Sequence, residues 1–69
     1  MEWIKIENAT ASYISHDELR YFYGVILLTY TTQTGKRYVK AVAINHGKLM
    51  KKLNGIPIAF MFMPEPYGE

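Results

Sequence analysis

The sequence predicts a small α+β domain, a mostly antiparallel sheet of three to five strands with one short helix before the last strand. A partly closed barrel is the alternative form of that sheet. Three observations lead there. Residues 22–32 and 37–44 are dense in β-branched and aromatic side chains on either side of a glycine-bearing turn. Residues 46–53 carry Leu49, Met50 and Leu53 at helical spacing, between Asn45 and the pair Asn54-Gly55. Residues 56–63 are apolar apart from Pro57, as befits a strand covered on both faces.

Each element follows from its residues in turn. Trp3-Ile4-Lys5-Ile6-Glu7 alternates apolar and polar side chains, the period-2 pattern of a short strand. A small polar stretch, 8–12, leads to a brief second strand at Tyr13-Ile14. Ser15-His16-Asp17-Glu18 fits a capping box, with Ser15 as N-cap of one helical turn reaching about Tyr21; a tight turn into a strand is the competing reading. The central hairpin joins 22–32 to 37–44 through Gln33-Thr34-Gly35-Lys36, with Tyr38, Lys40, Val42 and Ile44 on one face of its second strand. Gly24 inside the first strand is expected to mark a bulge or bend. Asn45 caps the predicted helix, Gly55 ends it and Pro57 follows. In the last strand, alternation puts Ile56, Ile58, Phe60 and Phe62 on one face and Ala59, Met61 and Met63 on the other. Residues 1–63 therefore form one domain, and 64–69, with two prolines, an extended tail.

Composition narrows the function classes. The chain has 69 residues, too few for two independent cores, and 49% of them are apolar. It has no cysteine, so disulfides, thiolate zinc sites and cysteine nucleophiles are excluded. Its apolar runs fall short of the roughly 20 residues that span a bilayer, and it lacks an export-signal pattern. A cytoplasmic, stand-alone protein without membrane attachment is the expectation.

Charge is small in sum and lopsided in layout. The net charge is +2, yet between Arg20 and Pro64 lie Arg20, Lys36, Arg37, Lys40, Lys48, Lys51 and Lys52 and no acid. Such a distribution suits an acidic partner, either a protein surface or a nucleic acid; a plainly solvated basic surface is the blander reading. The tyrosines at 13, 21, 23, 30, 38 and 67 are many for this length. Interleaved with Arg20, Arg37 and Lys40 they could stack bases, or they could anchor a protein interface.

Motifs for chemistry are sparse. His16 beside Asp17 and Glu18 invites an acid–base or metal reading with His46 as a second ligand, but three or four converging ligands at suitable spacing are missing. Thr34-Gly35-Lys36 lacks the first glycine of a phosphate loop and reads as a turn. Asn45-His46-Gly47-Lys48, as a helix start, could hold an anion. The sequence thus predicts a protein without catalytic residues, cofactor or metal; a small regulator of the kind mobile elements encode fits that description as a prior, not from any residue. It would act as a protein-interaction module, an inhibitor or adaptor of a larger assembly. The alternative is a small nucleic-acid-binding domain. Candidate partner-binding residues are Arg20, Tyr30, Lys36, Arg37, Tyr38, Lys40, Lys48, Lys51 and Lys52. Met61 and Met63, on the second face of the last strand, are the candidates for self-association as a homodimer.

Overall fold

A computed structural model describes residues 2–63 of the chain. The tail expected at 64–69 lies outside them. The elements run β1 (Ile4–Lys5), β2 (Asn8–Ala9), β3 (Ile14–Ser15), a 3-10 turn (Asp17–Leu19), β4 (Tyr23–Thr32), β5 (Arg37–Asn45), β6 (Lys48–Leu49) and β7 (Gly55–Phe62). Five of the strands form one antiparallel sheet in the order β1-β7-β4-β5-β6, while β2 and β3 pair separately.

The central hairpin forms where its β-branched run predicts. β4 and β5 stay in register from Tyr23 opposite Asn45 to Thr31 opposite Arg37. The turn between them closes with Gly35 N donating to the Thr32 carbonyl at 2.9 Å and Thr32 N donating to the Lys36 carbonyl at 3.0 Å. β7 lies on the other side of β4, between it and β1; only its core-side face is covered among the described residues, so the expected cover on both faces is not found among them.

The α+β expectation is corrected: this is an antiparallel β fold, and the helix predicted at 46–53 does not form. His46 and Gly47 both have positive φ, 49° and 89°, the pattern of a type I′ turn. Asn45 and Lys48 face each other across this two-residue loop, so the segment is a second hairpin. A helix of two turns is too short to hold itself together, so tertiary bonds decide the segment's conformation. Leu49 N donates to the Ser12 carbonyl at 2.9 Å, and Leu53 N to the Ala11 carbonyl at 2.8 Å. These bonds turn Leu49 and Leu53 into the core and leave Met50 exposed. Gly47 is also required sterically, because a Cβ there would stand 2.6 Å from the Ile14 carbonyl oxygen.

Two further details depart from the sequence reading. Ser15 belongs to β3, opposite Asn8, and the N-cap of the 3-10 turn is His16, whose Nδ1 accepts from Glu18 N at 3.0 Å. Gly24 stays in register with Ile44; its missing side chain leaves room for the Phe22 ring, 3.1 Å from where a Cβ would sit. The bulge falls instead in β7. Tyr30 pairs with Pro57 and Thr29 with Ala59, so Ile58 is the extra residue. Proline has no N–H for the ladder, and a bulge beside it spares the loss. The Ile58 carbonyl is used elsewhere, accepting from Ile6 N at 2.9 Å. The bulge also shifts the phase, so Pro57 is buried and Ile56 joins the opposite face from Phe60.

The core lies on one side of the five-stranded sheet. Ile26, Leu28 and Tyr30 from β4, Ile44 from β5 and Phe60 from β7 meet Ile6, Ile14, Leu19, Leu49 and Leu53. The covering layer is the β2–β3 pair, the 3-10 turn and the 49–53 segment. It is tied to the sheet by a bridge between Tyr13 and Lys48 and by the Ile14 N bond to the Gly47 carbonyl.

Candidate functional site

The side of the sheet away from the core has no covering layer among the described residues. Its pairings place Val25 beside Ala43, Leu27 between Ala41 and Met61, Thr29 between Val39 and Ala59, and Thr31 between Arg37 and Ile56. Alternation adds Trp3 at the β1 edge. Val25 is 46% exposed, Ile56 47% and Val39 60%, and Trp3 and Met63 are exposed as well. A sheet with one wet face ordinarily alternates apolar-in and polar-out. Here the outer face is largely apolar too.

β5 is the second unusual surface. Thr32 N bonds to the Lys36 carbonyl, so the bonded pairs of the hairpin continue at Tyr30–Tyr38, Leu28–Lys40 and Ile26–Val42. The backbone groups of Arg37, Val39 and Ala41 therefore point away from β4. On that side β6 pairs only with Ile44 and Asn45, and Met50 N donates to the Ala43 carbonyl at 3.1 Å. Arg37, Val39 and Ala41 thus form an open hydrogen-bonding edge among the described residues. The covering layer does not reach this half of the hairpin, so every residue from 37 to 41 is exposed. Along the edge runs a groove of about 270 Å³, with Val42 and Leu53 as its floor and Lys40, Met50 and Lys51 around it.

The nine residues expected to bind a partner do not converge as a set. Lys36, Arg37, Tyr38 and Lys40 share the open half of the hairpin, and Lys51 joins Lys40 across the groove. Tyr30 is buried, its ring centroid 5.9 Å from that of Tyr38, and serves the core. Lys48 pairs with Asn45 at the far end of β5, about 27 Å from Arg37 at ~3.4 Å per residue, and Arg20 precedes β4 at that same end. Arg20 lies 3.9 Å from the exposed Asp17 carboxylate. Lys52 is exposed beside Leu53. Met61 is half-buried between strands on the outer face, and Met63 is exposed. Sequence reasoning missed Met50, Val39 and Ala41 as surface features. The signal was present in 37–41, which is apolar at alternate positions yet too far from the helix stripe to be covered by it.

The histidines have structural placements. His16 caps the 3-10 turn, and its ring meets Phe60 edge-on at 5.0 Å. His46 occupies the second hairpin turn, with the Tyr21 ring 6.4 Å away. The anion site imagined at 45–48 falls with its helix. No helix among the described residues is long and apolar enough to cross a membrane. Comparison with protein-family models, with curated proteins and with solved structures finds no match for this chain.

Proposed function

We propose that this chain is a non-enzymatic protein-interaction module, acting as an inhibitor or adaptor of a larger assembly. The observation that carries the reading is the uncovered outer face of the sheet, with Trp3, Val25, Val39, Ile56 and Met63 exposed on it. Contiguous apolar surface of this kind marks an interaction site on a stable domain. A second copy of the chain is one occupant it suits, because a two-fold axis would bury the same face from both sides.

The competing reading is a nucleic-acid-binding domain built on Lys36, Arg37, Lys40 and Lys51. It is favoured by the absence of any acid from Arg20 to Pro64. It is weakened by the aromatic layout: near these residues Tyr30 is buried and the half-exposed Tyr38 leans on it, while the freely exposed Tyr21 and Tyr23 lie at the other end of the hairpin.

One experiment separates them. Photo-crosslinking side chains placed at Val25 and Val39 should yield protein adducts in cells, while the same group at the exposed Glu18 should not. Adducts from Glu18 alone would overturn the reading. A parallel salt titration against a short single strand and a duplex tests the alternative. Binding that falls by orders of magnitude between low and physiological salt would establish it.

A further inference from the structure

We infer that the open edge of β5, together with the groove beside it, receives an extended acidic segment of a partner protein as an added strand. The inference rests on the interaction reading above and supplies its partner chemistry.

Three observations meet at this edge. Arg37, Val39 and Ala41 present alternating N–H and C=O groups with no strand beside them among the described residues. An incoming strand satisfies such a row with a ladder of main-chain bonds, whatever its sequence. The groove then receives every second side chain of that strand. Its floor of Val42 and Leu53, with Met50 at the side, suits apolar groups. The third observation is charge. Lys40 and Lys51 line the same groove, and Lys36 lies further along the same hairpin, at its turn. A lysine on an edge strand commonly serves to repel other strands. Here two lysines share one groove without a carboxylate, which leaves their repulsion for a ligand to relieve.

The same facts weigh against other occupants. Pairing β5 with β5 of a second copy would bring both sets of Arg37, Lys40 and Lys51 into one seam. A nucleic acid would answer the charge, but its backbone does not complement alternating donors and acceptors at strand spacing. A segment that alternates acidic and apolar residues answers the edge, the groove and the charge together.

The test is a titration of the isotope-labelled chain with an octapeptide alternating glutamate and valine, read by backbone amide shifts. The amides of Arg37, Val39 and Ala41 should move, while those of the outer strand β1 stay still. Ala41→Pro removes an outward N–H without touching the bonds to β4, since proline is tolerated on a free edge. It should weaken binding about fivefold or more. The pair Lys40→Glu and Lys51→Glu, both exposed, should weaken it about tenfold. An octapeptide of alternating lysine and valine should leave the spectrum unchanged. Silence of the edge amides would overturn the inference, as would equal binding of the lysine peptide. Loss of the peptide-induced shifts as the chain is concentrated would assign the edge to a second copy, and movement with oligothymidylate but not the acidic peptide would assign it to nucleic acid. Either result overturns it too. Failure here, with crosslinking still obtained at Val25 and Val39, would remove the edge and leave the outer face standing.

Discussion

At the scale of single residues, the instructive one is His16. Its neighbours Asp17 and Glu18 give it the look of a catalytic or metal-binding group, and its two contacts give it a different task. The Nδ1 lone pair takes the N–H of Glu18 at 3.0 Å, which satisfies one of the orphan donors of the 3-10 turn. Its ring, edge-on to Phe60 at 5.0 Å, covers part of the largest fully buried side chain. Both contacts vanish in His16→Ala, which should lower unfolding stability by about 1–2 kcal/mol. Ser15→Ala should change it by less than about 0.5 kcal/mol, because the Ser15 side chain caps nothing. Urea denaturation of the two variants reads the difference. Equal losses would show that the turn is capped as a Ser-x-x-Glu box after all. The cap was half legible in the sequence. The turn and its acids were visible, but a serine hydroxyl and an imidazole nitrogen one residue apart both reach the same N–H, and only the β3 pairing of Ser15 with Asn8 decides between them.

At the scale of elements, the decisive segment is 45–49. His46 adopts φ 49°, a conformation that β-carbon-bearing residues resist but asparagine tolerates. His46→Asn creates an Asn-Gly pair at the centre of a two-residue hairpin loop, the preferred type I′ combination. It should raise stability by about 0.5 kcal/mol, or a few degrees in Tm. Gly47→Ala should do the reverse and more strongly, costing upwards of about 2 kcal/mol, since strain at positive φ adds to a clash with the Ile14 carbonyl. Differential scanning calorimetry measures both. An unchanged Gly47→Ala variant would favour the helix reading, in which alanine is welcome. This segment also shows why part of the fold was hidden. The β4–β5 hairpin was readable because its β-branched residues and its turn agree. Leu49, Met50 and Leu53 fit a helix equally well by spacing, and what overrides that pattern is bonding to Ser12 and Ala11, some 40 residues earlier. The β7 bulge was hidden for a similar reason. Alternation assumes one residue per rung, and Ile58 breaks the count where Pro57 removes a donor. Of the candidate site, the basic residues at 36–40 were legible. That Lys51 faces Lys40 was not, since it depends on the absent helix.

At the scale of the whole molecule, the chain extends 44 × 22 × 20 Å, long because β4 and β5 outrun the layer that covers them. Among the described residues, one sheet side holds the ten buried apolar side chains of the core, and the other carries Val25, Leu27, Val39, Ala59 and Met61 with no layer over them. Apolar sheet surface left in water is unfavourable, and association of two copies removes it from water without a new sequence. The expected outcome at micromolar concentration is a dimer of about 16 kDa, twice the 8.0 kDa chain, joined through the outer faces. Met61 lies opposite Leu27 near the middle of that face, whereas Met63 follows the end of β7. Met61→Lys should therefore shift the mass to 8.0 kDa, and Met63→Lys should weaken association less, because a rim lysine keeps its ammonium in water. Sedimentation equilibrium of the three proteins decides it, with circular dichroism confirming that each remains folded. A uniform 8.0 kDa species for the parent chain would rule out the dimer and leave the outer face to a foreign protein. A dimer joined by its faces keeps the β5 groove accessible on the core side of the sheet, so self-association and capture of an acidic strand can occur in the same molecule.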